Sequence, residues 1–442
     1  MSVVVGERCL RWDDGRKSGR RTGESWLRGG LPVIGNTLQH LPLKLLFVHE
    51  RFGALAGAEA NLHLTAAELQ RRGHGIALLH GPGTGKGEAV WGETFDRRFA
   101  ISPGIPSTSA AEAVGAFEPD AVYVHQMSDL EVIEALLDSA VPLVRMVHDH
   151  DLYCMRSYKY HYFSRGICAR AASPFCLFPC GAFIARNHDG GFPFKWVSYV
   201  AKKKEIQLNR RFHKIVVNSR YMRDELLRNG FADEKIALHV PVPRNDSAAW
   251  RSSFSDRNRV LYVGQIVRGK GVDVLLQSLA RVRQRFECVI LGDGNHRSFC
   301  EELSRRLGLS ERVHFKGYVP PAELEDYYRE SSVVAVSSVW PEPFGMVGIE
   351  AMRYGLPVVA FDAGGIKEWL IDGQNGFLVP WMDRTQYAGR LERLLRDKTL
   401  ARQMGERGRE LAAQYYDFDR YIDGLEDLFA RVTAQPECEV AA

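Results

Sequence analysis

Apolar runs of strand length alternate with helix-patterned segments from residue 44 to about 240, stop, and start again at 259. In the first stretch the runs are "LLFV", "GIALLH", "AVYVH" (121–125), "VPLVRMVH" (141–148) and "KIVVNS" (214–219). The segment between the first two carries Leu62, Leu64, Ala66 and Leu69 at helical spacing and ends at Gly73. The second stretch repeats the alternation with "RVLYVG", "ECVILGDG", "VHFKG", "SVVAVSS" and "LPVVAFD". A β-α-β succession of this kind builds a mostly parallel sheet with helical crossovers. The break, "PVPRNDSAAWRSSFSDRN" (241–258), is rich in Pro, Ser and charge and reads as a linker. The predicted fold class is therefore α/β, two Rossmann-like domains facing across a cleft, spanning 44–240 and 259–412. Ligands of open α/β sheets bind beyond the carboxyl ends of the strands, which makes the cleft between the domains the expected site.

Composition narrows the class. The 442 residues suffice for two domains, and 45% hydrophobic with 25% charged residues is the make-up of a globular protein. A formal charge of +4 spread over that length gives no general affinity for nucleic acid. No apolar run approaches the roughly 18 residues of a membrane span. Charges interrupt the N-terminal apolar start before it can form a signal-peptide core, so a cytoplasmic protein is expected. Residues 1–43, rich in Arg and Gly without sustained periodicity, predict a disordered extension. One stretch, "LHGPGTGKG" (79–87), imitates a phosphate-binding P-loop. The pattern needs glycine six positions before Lys86 and a hydroxyl after it; the chain has His80 and Gly87 there. An ATPase or GTPase reading fails on those two positions.

The stretch "WPEPFGMVGIEAMRYGLPVVAFDAGGIKEWLIDGQNGFLVP" (340–380) carries the most chemistry. Pro341 and Pro343 keep Glu342 in a loop, while "GMVGIEAMRYG" predicts a helix from Gly345 to Tyr354 with Glu350 inside it. Between the two carboxylates lie the free N–H groups of the first helical turn, an anion site. Gly345 and Gly348 are read as letting a ligand approach the backbone. A phosphate flanked by two hydroxyl-accepting carboxylates suits a nucleoside-diphosphate sugar; two acids at a helix start, with no ligand, is the plainer alternative.

This element, with "LPVVAFDAGGIKE" and "NGFLVP", resembles the donor site of the family-4 retaining glycosyltransferases, which have the GT-B fold. "FVHERFGALAGAEANLHLTAAELQRRGH", "MVHDHDLYC", "IVVNSRYMRDELLRNGF", "VGQIVRGKGVDVLLQSL" and "FKGYVPPAEL" resemble further family segments in the same order, over residues 44 to 435. The resemblance implies a retaining hexosyltransferase whose co-substrate is a UDP- or GDP-linked sugar. Its acceptor would be a hydroxyl of a glycan or lipid-linked molecule in cell-surface polysaccharide synthesis, and no cofactor or catalytic metal is required. The competing class is a non-catalytic nucleotide-sugar-binding or scaffold protein. A glycoside hydrolase also uses paired carboxylates but has no use for a diphosphate site.

Residue by residue, the resemblance makes His148, Glu342 and Lys270 catalytic. Glu350 is expected to bind the ribose, Glu342 the transferred sugar, and Lys270 the diphosphate, with Phe344, Gly345, Met346 and Val347 completing the site. Gly57 lets the first loop approach the phosphates, and Tyr318 meets the base mainly through its backbone. Where the family commonly has Arg, this chain has Gln265; either Arg268, three residues on, compensates or Lys270 and the helix hold more of the diphosphate. The helix after residue 413 is expected to cross back to the first domain.

Three stretches lie outside that frame. In "HDHD", His148 and His150 share a face and form a possible metal pair. Cys154, Cys168, Cys176 and Cys180, half of the eight cysteines within 27 residues, suggest a structural zinc site, a redox pair or unlinked thiols. Their insert follows His148 and is the candidate for acceptor recognition. The basic segment 194–214 is read as a helix, either a solvated face over a packed stripe or a peripheral contact with the inner face of the cell membrane.

Overall fold

The computed structural model describes residues 41–53, 57–186, 194–244, 252–254 and 258–434. The predicted N-terminal extension (to residue 40), much of the linker and the tail from residue 435 lie outside that set.

Two separate parallel sheets form. In the first, β1 (Lys44–His49), β2 (Gly75–His80), β3 (Arg97–Ala100), β4 (Ala121–Val124), β5 (Leu143–Val147), β8 (Lys214–Val217) and β9 (Ile236–Leu238) lie in the order β3-β2-β1-β4-β5-β8-β9. The two short strands β6 (Ile184–Arg186) and β7 (Phe194–Trp196) form an antiparallel hairpin outside it. The second sheet comprises β10 (Arg259–Val263), β11 (Glu287–Leu291), β12 (Val313–Gly317), β13 (Val333–Val336), β14 (Val358–Phe361) and β15 (Gly376–Val379), in the order β12-β11-β10-β13-β14-β15. Strand order reverses beside β1 in one sheet and beside β10 in the other, opening a crevice at the carboxyl ends of both. Helices cover both faces, so the central strands are buried throughout: Leu45 to Val48 and Val358 to Phe361 are fully inaccessible. That double burial is why they read as unbroken apolar runs rather than alternating ones.

The last helix, Phe418–Ala434, lies on the first domain. Phe429 meets Tyr123 of β4 edge to face at 5.2 Å, the Tyr421 hydroxyl bonds Thr65 at 3.1 Å, and Glu426 accepts from His74 at 2.9 Å. His239, after β9, bonds the Tyr421 carbonyl at 2.7 Å.

The stretch "GPGTGKG" is the loop after β2. Glu88, opening the next helix, accepts a hydrogen bond from the Gly85 N–H at 2.6 Å, and a side chain on Gly83 would collide with the Glu88 carboxylate at 2.4 Å. The loop's own acid occupies the place an anion would need.

Candidate active site

Lys270 ends a short 3-10 turn, Arg268–Lys270, in the loop after β10. Its ammonium donates to Glu342 Oε1 at 2.7 Å and stands 5.0 Å over the Trp340 ring. Ser338 donates to the same carboxylate oxygen. Burial alone would raise the Glu342 carboxyl; the Lys270 charge and these hydrogen bonds outweigh it, and Glu342 is held below the ordinary carboxylate range. The result is an ionised pair with the lysine a quarter exposed, a cation kept in place and still within reach of a ligand.

Four residues on, the helix Met346–Arg353 begins, with Gly345 at its N-cap in the left-handed region (φ 90°) and no side-chain cap. Its first N–H groups therefore lack a side-chain cap and are free to act as donors for an anion. Glu350 lies inside the helix and accepts from the Tyr328 hydroxyl at 2.8 Å. Burial, only partly countered by that bond and by Arg353, pushes its carboxyl above the ordinary range.

His148 follows β5. Its Nε2 shares a hydrogen with His125 Nδ1 at 2.9 Å, the two rings stacking at 5.1 Å. Burial first, then the charges of His49 and Arg145, push its pKa down to about 3. The imidazole is neutral at physiological pH, suited to hydrogen-bonding a hydroxyl and not to pairing with phosphate.

Other expected residues separate into those the structure places at the crevice and those it uses elsewhere. Gly57 caps the helix Ala58–Arg71 with φ 61°, and open space lies where a side chain would start. Gln265 is exposed in the loop after β10. Tyr318, 72% exposed, follows Gly317 at the end of β12, and Met346 and Val347 are half-buried in the first helical turn. Phe344 is used in the fold: its ring is 2% exposed and packs on Tyr416, and its carbonyl takes the Trp369 indole N–H at 2.7 Å. Gly348 serves the fold too. A Cβ there would stand 2.1 Å from the Trp369 ring, so this glycine makes room for tryptophan and not for a ligand. Arg268, the expected compensating charge, is engaged with the insert: its guanidinium bonds the Tyr162 carbonyl and lies 4.8 Å over the Tyr162 ring.

The remaining stretches also resolve. Both ring nitrogens of His150 are engaged, with the Tyr153 hydroxyl and the Pro341 carbonyl, each at 2.7 Å, which removes it as a metal partner of His148. Cys154, Cys168, Cys176 and Cys180 are free thiols around one cavity of about 140 Å³. Among the described residues no three His, Cys, Asp or Glu side chains assemble a metal cage. Segment 194–214 is helical only over Tyr199–Asn209, and Lys202 is drawn inward by Glu205 at 2.6 Å. Sequence reasoning missed His125, the Arg165–Asp273 pair and the role of Trp369; their partners lie 21 to 108 residues away, beyond any local signal.

Residues 55–239 match the family described as Glycosyltransferase Family 4, and residues 245–411 match Glycosyl transferases group 1. A D-inositol 3-phosphate glycosyltransferase of Streptomyces bingchenggensis is 30% identical over 240 residues, 49% of this chain and 52% of that protein. The alpha-D-kanosaminyltransferase of Streptomyces kanamyceticus is 31% identical over 185 residues, 41% of this chain and 48% of the other. The chain thus spans about half the length of the curated relatives it matches. Among solved structures, Anabaena HepE in complex with UDP and glucose aligns with a TM-score of 0.67 at 22% identity, over 88% of this chain and all of that one. Sucrose-phosphate synthase from Thermosynechococcus elongatus aligns at 0.66 and 18% identity, over 89% and 99%. These two likenesses establish a shared two-domain fold.

Proposed function

Because the chain belongs to the family-4 glycosyltransferases, with their GT-B architecture, we propose that it transfers a hexose with retention from a UDP- or GDP-linked sugar to a hydroxyl of a glycan or lipid-linked acceptor. The observation that carries this reading is the Lys270–Glu342 pair at 2.7 Å, with Glu342 four residues before the uncapped helix Met346–Arg353. The diphosphate lies against the Lys270 ammonium and the first helical N–H groups, which stabilise the charge that grows as the nucleotide leaves. Glu342 then holds hydroxyls of the transferred sugar and Glu350 a ribose hydroxyl. The neutral imidazole of His148 positions the sugar. The departing phosphate oxygen takes the proton of the acceptor hydroxyl as the new glycosidic bond forms on the same face. No cofactor or catalytic metal takes part, the cationic work being done by Lys270 and the helix end.

The glycan or lipid-linked acceptor belongs to cell-surface polysaccharide assembly in this reading. No described helix is long and apolar enough to cross a membrane. A lipid-linked acceptor would be met at the inner face of the cell membrane by exposed apolar side chains such as Trp196, 80% exposed, and Phe178. The relative HepE, crystallised with UDP and glucose, supports a uridine donor. The test is incubation with UDP-glucose, UDP-galactose or GDP-mannose, reading the anomeric signal of the released or transferred sugar by proton NMR. Retention from one donor is expected; inversion would overturn the mechanism, and no turnover with intact nucleotide binding would favour the non-catalytic class.

A further inference from the structure

The insert after β5 does more than border the acceptor entrance. Residues 159–168 fold back as a hairpin: Tyr160 and Ile167 pair antiparallel, Cys168 N–H bonds the Lys159 carbonyl at 2.7 Å, and His161 N–H bonds the Gly166 carbonyl at 2.9 Å. The hairpin lies on the second domain, against the turn that carries Lys270. Before the lysine, Arg268 is tied to Tyr162 through its carbonyl and its ring. At Gly269 the fit is close, since an added Cβ would stand 3.3 Å from both the Tyr160 ring and Trp340. After the lysine, Asp273 in the first turn of the helix Val272–Leu279 takes a two-pronged bond from Arg165, at 3.1 and 2.8 Å. Those two side chains are 11% and 9% exposed. His296 also stands 3.8 Å from Asp273, but burial lowers its pKa, so at neutral pH the charge opposite Asp273 comes from Arg165.

We infer that Arg165 is a positioning residue: through Asp273 it clamps the hairpin 159–168 over the turn 268–270 and so fixes where Lys270 presents its ammonium. The inference rests on the proposed role of Lys270 toward the diphosphate. Geometry supplies the reason. The turn is gripped on both sides of the lysine by one hairpin of the other domain, which lets the acceptor-side insert set the donor site. Charge supplies a second reason. Without Arg165, the buried Asp273 carboxylate, three residues from Lys270, keeps only His296 at 3.8 Å, and its attraction competes with the diphosphate for the ammonium.

The probe is UDP, or GDP if the donor panel selects it, titrated calorimetrically into wild type, Arg165→Ala and the charge-swapped pair Arg165→Asp/Asp273→Arg. Amide exchange of residues 266–273 is followed in parallel without nucleotide. Arg165→Ala is expected to weaken UDP about tenfold, the usual size of a coupling between two elements, and to speed exchange in the turn. The swapped pair is expected to recover most of both. Unchanged affinity and unchanged exchange in Arg165→Ala overturn the inference, as does a swapped pair that melts like wild type yet restores neither. If wild type binds no nucleotide the proposed function fails, and the exchange measurement still decides whether Arg165 holds the turn.

Discussion

At the scale of single residues, Lys270 and Gly348 bear opposite kinds of weight. Lys270→Ala removes the cation that meets the leaving diphosphate, and losing one such group costs on the order of 10²–10³ in kcat; steady-state kinetics with the selected donor is the check, on protein shown to be folded, because the buried Glu342 loses its counter-charge as well. Gly348→Ala instead drives a methyl into the Trp369 indole, 2.1 Å away. Overpacking of that kind costs about 1–3 kcal/mol, to be read as a lower midpoint in urea. The carboxylates Glu342 and Glu350 were legible because the motif keeps both acids within one loop-helix junction, and Lys270, 72 residues before Glu342, only through the family resemblance of its segment. The fate of Arg268 was not, because the Tyr162 that takes it stands 106 residues earlier. Gly348 was misread because a glycine in a binding motif looks the same whether it admits a ligand or a tryptophan 21 residues on.

At the scale of elements, the final helix is the most exposed to test. Phe429 is fully buried against Tyr123, although the two are far apart in sequence. Phe429→Ala is expected to cost about 3–5 kcal/mol, the range for a buried phenylalanine, and to lower the first unfolding transition in calorimetry, since the helix lies on the first domain. Strands of both sheets were readable from sequence because parallel strands buried on two faces are continuous apolar runs. The hairpin 159–168 was not readable as an element. Tyr160 and Tyr162 alternate over too few residues to mark a strand, and what orders the hairpin is a surface of the other domain. The segment 194–214, read as one basic helix, splits because Phe194–Trp196 pairs with β6 and only then does the chain turn helical.

Across the whole molecule, buried histidines set the acid stability. Burial holds His148 at about 3, and His150 and His239 each at about 4. Each binds its proton more tightly unfolded, where the value is near 6.5. Their folded-state pKa values are depressed, so stability falls as pH drops from about 6.5 toward 4, the unfolded chain binding more protons there. Asp149 runs the other way: burial raises it to about 6, so it binds its proton more tightly when folded and gains stability over part of that window. Burial also lowers His125 and raises Glu205, Glu350 and Glu368; the histidine displacements are the largest, so a net decline is predicted. Urea midpoints between pH 7 and pH 4.5 check it; a flat or rising profile contradicts the burial of these rings.

The central claim is that the crevice around Lys270, Glu342 and Glu350 binds a nucleoside-diphosphate sugar. The most direct measurement is calorimetric binding and slow hydrolysis of UDP-, GDP-, ADP- and dTDP-sugars by wild type and Glu350→Ala. The structure predicts that one donor binds and is slowly hydrolysed, and that both properties fall in Glu350→Ala, which loses the carboxylate meant for the ribose. Failure of every donor to bind, or binding and hydrolysis that survive unchanged in Glu350→Ala, would contradict it.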